Sequence, residues 1–133
     1  MSVLTQGTHH IGLTVSKLEE SAVFFTQLLG WKEVFRKPSY PAIFVSDGSI
    51  MLTLWQAKSN HRVEFDRRAN VGLHHLALEV ANEETLQQIH QRVSDSGLRI
   101  EFPPEDVGDG PAKHMMCFEP SGIRVEFFFK GSQ

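Results

Sequence analysis

An α+β fold of two βαβββ modules, forming paired curved mixed sheets, is what this sequence predicts. Two observations carry the prediction. The stretch HHIGLTV at 9–15 nearly returns as HHLALEV at 74–80, with His9 and His74, His10 and His75, Leu13 and Leu78, and Val15 and Val80 all separated by 65 positions. After each copy the same order of patterns follows, one with helical period and then three strand-like runs.

In the first copy the helix is LEESAVFFTQLLG, with Leu18, Ala22, Phe25 and Leu29 on one stripe and Gly30 as a left-handed stop. Strands follow at WKEVFRK (31–37), AIFVSD (42–47) and IMLTLWQ (50–56), with a turn at Asp47-Gly48. In the second copy the helix is NEETLQQIHQRVSDSG, with Asn82 as N-cap, Leu86, Ile89 and Val93 on one stripe, and Gly97 as the stop. Its strands are LRIEF (98–102), KHMMCFE (113–119) and IRVEFFF (123–129), the last entered through Pro120-Ser121-Gly122. Ile50 matches Ile123 at a wider offset of 73, so the extra residues fall in PPEDVGDGPA (103–112). Prolines, glycines and acids there are expected to exclude regular structure. The segment 57–71 has mixed charge and is expected to be a solvated connector. The expected organisation is one domain over 1–133, with module 1 at 7–56, the connector at 57–71 and module 2 at 72–130.

Composition narrows the function classes. The chain is 41% hydrophobic and 22% charged, with a net charge of −3. Such a balance argues against a dedicated nucleic-acid or anionic-membrane binder. No apolar run approaches the ~20 residues that span a bilayer. The opening MSVLTQGTHH lacks a basic and then apolar leader pattern, so a cytoplasmic location is expected. The single cysteine, Cys117, lies in the apolar run MMCF and is read as a buried thiol.

Alternate strand residues share a face. That groups His10, Gly12 and Thr14 in one opening strand and His75, Ala77 and Glu79 in the other, with His9 and His74 turned away. The Ile50/Ile123 register pairs Thr53 with Glu126. An approximate two-fold between duplicated modules would gather His10, His75, Glu126 and Thr53 at its axis. Two neutral imidazoles and a carboxylate suit one divalent metal ion, and three protein ligands leave positions open for substrate. The competing reading gives Glu126, in a very apolar strand, Arg124 as its partner. His114 stands near the long loop with its direction open. Trp55, Phe44 and Phe128 are core or cleft-wall aromatics.

The stretch THHIGLTVSKLEESAVFFTQLLGW resembles the opening signature of the vicinal oxygen chelate superfamily, which includes glyoxalase I, extradiol dioxygenases, fosfomycin-resistance thiol transferases and bleomycin-resistance proteins. FEPSGIRVEFF is similar to its closing signature. The resemblance covers essentially the whole chain and implies a glyoxalase-like fold. Position by position, it implies metal ligands at His10, His75 and Glu126 and an ion that is iron, manganese, nickel or zinc. Thr53 stands where glyoxalase I has a fourth, carboxylate ligand, a departure that speaks against that activity. The expected function is that of a metal-dependent enzyme acting on a small oxygen-chelating substrate by lyase or isomerase chemistry, thiol transfer or ring-opening dioxygenation. Glu126 and His114 would handle protons, and Thr53, Trp55, Phe44 and Phe128 would contact substrate. The alternative is a metal-free protein of the bleomycin-resistance type that sequesters a drug. A homodimer is expected, because half-open sheets leave edges to pair.

Overall fold

The computed structural model describes residues 2–59 and 61–131. Two compact units divide after Ser59, and each repeats one topology. The first holds β1 (Ile11–Val15), α1 (Leu18–Val23), a π-helical turn (Phe24–Leu28), β2 (Lys32–Lys37), β3 (Ala42–Ser46) and β4 (Met51–Gln56). Its sheet has the order β1-β4-β3-β2, with β1 parallel to β4 and the other pairs antiparallel. The second holds β5 (Leu76–Glu79), α2 (Glu83–Asp95), β6 (Ile100–Asp106), β7 (Lys113–Phe118) and β8 (Arg124–Phe129), in the order β5-β8-β7-β6. The expected α+β fold of two βαβββ modules is therefore present.

The period-2 pattern explains β1, where Leu13 and Val15 are buried while Gly12 and Thr14 face outward. The first helix departs from its expected regular winding. The Leu29 N–H donates to the Phe24 carbonyl and the Trp31 N–H to that of Phe25, so the helix widens after Val23. That extra residue in the turn lets both Phe24 and Phe25 enter the core, whereas a regular stripe would bury Phe25 alone. Leu18 and Leu29, expected on the buried stripe, are only half-buried. Gly30 and Gly97 end their helices at φ +82° and +77°, as read from sequence. The Asn82 side chain caps α2 by accepting the Thr85 N–H at 2.8 Å.

The expectation of an irregular loop over 103–112 is corrected. β6 continues through Pro103 and Pro104 to Asp106. It is an edge strand, and its register shifts between Ile100 and Phe102 and again between Phe102 and Glu105. An edge with bulges is where prolines, which cannot donate to a ladder, are tolerated. Only 107–112 lies outside the strands. Residues 57–59 and 61–71 carry no helix or strand, as expected of the connector, in which Asn60 lies outside the described residues.

Cys117 is buried as expected, and burial pushes its thiol up to about 12. The FEPSG run has a structural meaning. The buried Glu119 carboxylate accepts the N–H groups of Ser121 at 2.7 Å and Ile123 at 3.0 Å, clamping the turn that launches β8. Among the described residues, no helix is long and apolar enough to cross a membrane.

Candidate functional site

Each sheet, taken by itself, pairs the equivalent residues of its own unit. Gly12 pairs with Thr53 in the first unit, and Ala77 pairs with Glu126 in the second. Thr53 and Glu126 are thus structural counterparts, as the repeat implied. By the same matching, Met51 stands where the second unit has Arg124, and Ala42 where it has His114. The ionisable chemistry is concentrated in the second unit.

His10 and His75 precede β1 and β5. Sequence alternation turned His9 and His74 to the opposite face, and this is corrected. In both units the neighbouring rings meet edge to face, with Nδ1 2.8 Å from Nδ1 and ring centroids 5.1 and 5.0 Å apart. These histidines lie before the first ladder pairs, at Ile11 and Leu76, so strand alternation does not bind them.

In each such pair one nitrogen must donate and the other accept. Arg124 decides which in the second unit. Its Nη1 lies 3.5 Å from His74 Nδ1, and a guanidinium can only donate. That contact suits the tautomer pair in which His74 Nδ1 accepts, His75 Nδ1 carries the hydrogen and His75 Nε2 keeps its lone pair. Partial desolvation first, and then neighbouring charge including that of Arg124 and Arg67, holds the His74 pKa below its usual value, which favours a neutral ring. Arg124 is itself fixed by two 2.9 Å hydrogen bonds to Glu101, and these hold the Glu101 carboxyl below its ordinary range. This pairing corrects the alternative in which Arg124 partners Glu126.

Glu126 is 8% exposed. Its Oε1 lies 3.1 Å from His75 Nε2, and its Oε2 lies 2.5 Å from His114 Nδ1. The His114 ring stands beside those of Phe102, at 4.8 Å, and Phe128, at 6.1 Å. His75 Nε2 and a buried carboxylate oxygen lie 3.1 Å apart: with the hydrogen on Nε2 the ring donates to Glu126, and with it on Nδ1 two acceptors face each other. Two acceptors at that distance call for a proton or a cation between them. Among the described residues no three His, Cys, Asp or Glu side chains stand together as a ready ligand cage; His75 and Glu126 are two donors of the types that ligate a divalent ion.

In the first unit Thr53 is buried, and its hydroxyl accepts the Trp55 indole N–H at 2.9 Å. Phe44 lies beside Trp55 at 5.8 Å between centroids. A cleft of about 520 Å³, lined by Lys17, Glu19, Arg36 and Gln56 among others, opens near the start of α1. None of the residues expected at the site lines it, so the side-chain chemistry and not the cavity volume marks the candidate site. Sequence reasoning missed the chain from Glu101 through Arg124 to His74. The repeat offset held a signal for it, since Arg124 has the uncharged Met51 as its counterpart.

The description of the Glyoxalase/Bleomycin resistance protein/Dioxygenase superfamily matches residues 7–127. The chain is 33% identical over 124 residues to the protein YqjT of Bacillus subtilis (strain 168), covering 89% of this chain and 94% of that one. It is 27% identical over 121 residues to metapyrocatechase of Geobacillus stearothermophilus, covering 91% of this chain but only 34% of that enzyme. The chain thus spans about a third of that relative's length. The fold is similar to the glyoxylase/bleomycin resistance protein/dioxygenase domain from Frankia sp. EAN1pec, with a TM-score of 0.82 at 22% identity over 95% of this chain and 93% of that one. Duplicated βαβββ topology, the paired histidines and the match over 7–127 converge: the chain belongs to the glyoxalase/bleomycin resistance protein/dioxygenase superfamily.

Proposed function

We propose that the protein is a metal-dependent enzyme acting on a small molecule that presents one or two oxygens to the ion. The observation that carries this reading is the buried Glu126 carboxylate 3.1 Å from His75 Nε2. His75 and Glu126 would hold one divalent ion (Fe, Mn, Ni or Zn), with His10 as the further ligand that the repeat implies. The bound ion would supply Lewis acidity, stabilising charge that builds on a substrate oxygen.

The chain's own residues supply the rest. Glu126 contributes the single ligand charge. His114, hydrogen-bonded to Glu126 Oε2, holds a proton at Nδ1 within reach of that carboxylate and acts as general acid or base. Thr53 adds no charge, which separates this site from four-ligand glyoxalase I chemistry. Thr53, Trp55, Phe44 and Phe128 would contact the substrate. The reaction belongs to the lyase or isomerase, thiol-transfer or ring-opening dioxygenation classes, and the similarity to metapyrocatechase favours trying the last first. The protein would work in the cytoplasm as a homodimer, with neither nucleic acid nor membrane as partner. The uniformly exposed edge strand β2, with Val34 about half exposed, supplies a backbone edge for pairing.

A second reading, metal-free sequestration of a drug, draws on the aromatic rings around Trp55. Elemental analysis of protein purified without added metal separates the two. Stoichiometric metal, with turnover of a catechol, epoxide or hemithioacetal on reconstitution, supports the enzyme. Tight binding of a planar drug by metal-free, inactive protein supports sequestration.

A further inference from the structure

On the face of the first sheet away from α1, four aromatic rings make one continuous surface. Phe35 of β2 lies 5.3 Å from Phe44 of β3, Phe44 lies 5.8 Å from Trp55 of β4, and Trp55 meets Tyr40 edge to face at 5.0 Å. Register explains this: Phe35 pairs with Phe44, Phe44 pairs with Thr53, and the Trp55 ring lies along the same face. Gly12 of β1 makes room, since a Cβ there would sit 3.3 Å from Thr53 Oγ1 and 3.7 Å from the indole nitrogen. The Trp55 N–H is already spent on Thr53, so the half-buried indole is held at a fixed angle and has no free donor.

Large rings left in water need a reason, and here Phe35 is 52% and Tyr40 39% exposed. Two cations stand over ring faces of this surface. Lys58 Nζ lies 3.8 Å from the Tyr40 centroid, and Lys37 Nζ lies 5.8 Å from that of Trp55. Neither lysine takes part in an ion pair among the described residues. The nearby acids Glu19 and Glu33 are engaged by Arg36, which register places on the opposite face. The surface thus combines stacking area with unmatched positive charge at its margin.

We infer that this platform selects a planar aromatic anion, such as an aryl carboxylate, through ring stacking on Trp55 and Tyr40 and charge pairing with Lys37 and Lys58. The inference deepens the proposed small-molecule function by naming the substrate class, and it rests on that reading only for its biological meaning. The platform is complete within the first unit and needs no metal.

The test uses the full chain after chelator treatment, so that no carboxylate binds through an ion. Affinities for 2-naphthoate and its neutral counterpart 2-naphthamide are measured by calorimetry at low salt. The wild type is expected to favour 2-naphthoate at least about fivefold. The Lys37→Met/Lys58→Met double variant should lose that preference, and Tyr40→Leu should weaken both probes alike. All three side chains are exposed, and circular dichroism with a melting curve establishes that each variant is folded. A preference below fivefold, one that survives the double lysine substitution, or no binding of either probe overturns the inference. Metal content, measured separately on untreated protein, reports on the metalloenzyme reading, so either idea can fail while the other stands.

Discussion

Replacing His74 with alanine isolates the step on which the His75 tautomer depends. His74 Nδ1 lies 2.8 Å from His75 Nδ1 and 3.5 Å from Arg124 Nη1, which suits it as the acceptor of both. Without it, His75 is free to rotate and to carry its hydrogen on Nε2, the atom that faces Glu126. A neutral hydrogen bond contributes about 0.5–1.5 kcal/mol, and partners that orient a ligating histidine change metal affinity by about 10–100-fold. His74 is exposed, so the lower end applies. The expected loss is about tenfold, equivalent to about 1.4 kcal/mol. Competition with a chromogenic chelator at neutral pH measures it, and thermal melting should show little change. His74→Asn should restore most of the affinity, since its side-chain oxygen can accept where Nδ1 did. An unchanged affinity in His74→Ala, in protein whose metal is lost in His75→Ala, would refute the tautomer argument.

Thr53→Ala should leave metal affinity within about twofold while freeing the indole, at a cost of about 0.5–1.5 kcal/mol in stability; a shifted tryptophan emission and a denaturant titration report both. Cys117 should resist an aromatic disulfide reagent in the native state and react at once in denaturant, because its thiol is enclosed and neutral. Its folded pKa of about 12 lies above the ordinary thiol value of about 8.5, so the stability it contributes is complete below about pH 8.5 and falls as the pH climbs towards 12. Cys117→Ser should change the alkaline limb of a pH–stability curve accordingly. Light scattering should give twice the mass of the chain, and a monomer at micromolar concentration would exclude the dimer.

The topology was legible because hydrophobic period and duplication agree. Offsets of 65 and 73 put Gly12 with Ala77 and Thr53 with Glu126, and the ladders reproduce both matches. Where sequence reasoning failed, a local rule met a context that it cannot see. Pro103 and Pro104 read as strand breakers, yet an edge strand with bulges accepts them. A regular 3.6-residue winding left Phe24 outside the core, and only a π-helical turn buries it beside Phe25. At the site, residue types indicated His75 and Glu126, but not what orients them. The 3.5 Å approach of Arg124 to His74 joins residues fifty positions apart and depends on β6 delivering Glu101 to hold the guanidinium. Likewise His114 had no fixed direction until β7 paired it with Phe128, setting it against the Glu126 carboxylate.

The central claim is that His10, His75 and Glu126 together hold one metal ion. Its most direct test is elemental analysis of wild type, His10→Ala, His75→Ala and Glu126→Ala after chelation and reconstitution with each of iron, manganese, nickel and zinc. The account predicts about one ion per chain in the wild type and a loss of most of it in each variant, with Glu126→Ala lowest because it removes the ligand charge. Stoichiometric metal retained in Glu126→Ala, or a wild type that takes up none of the four, would contradict it.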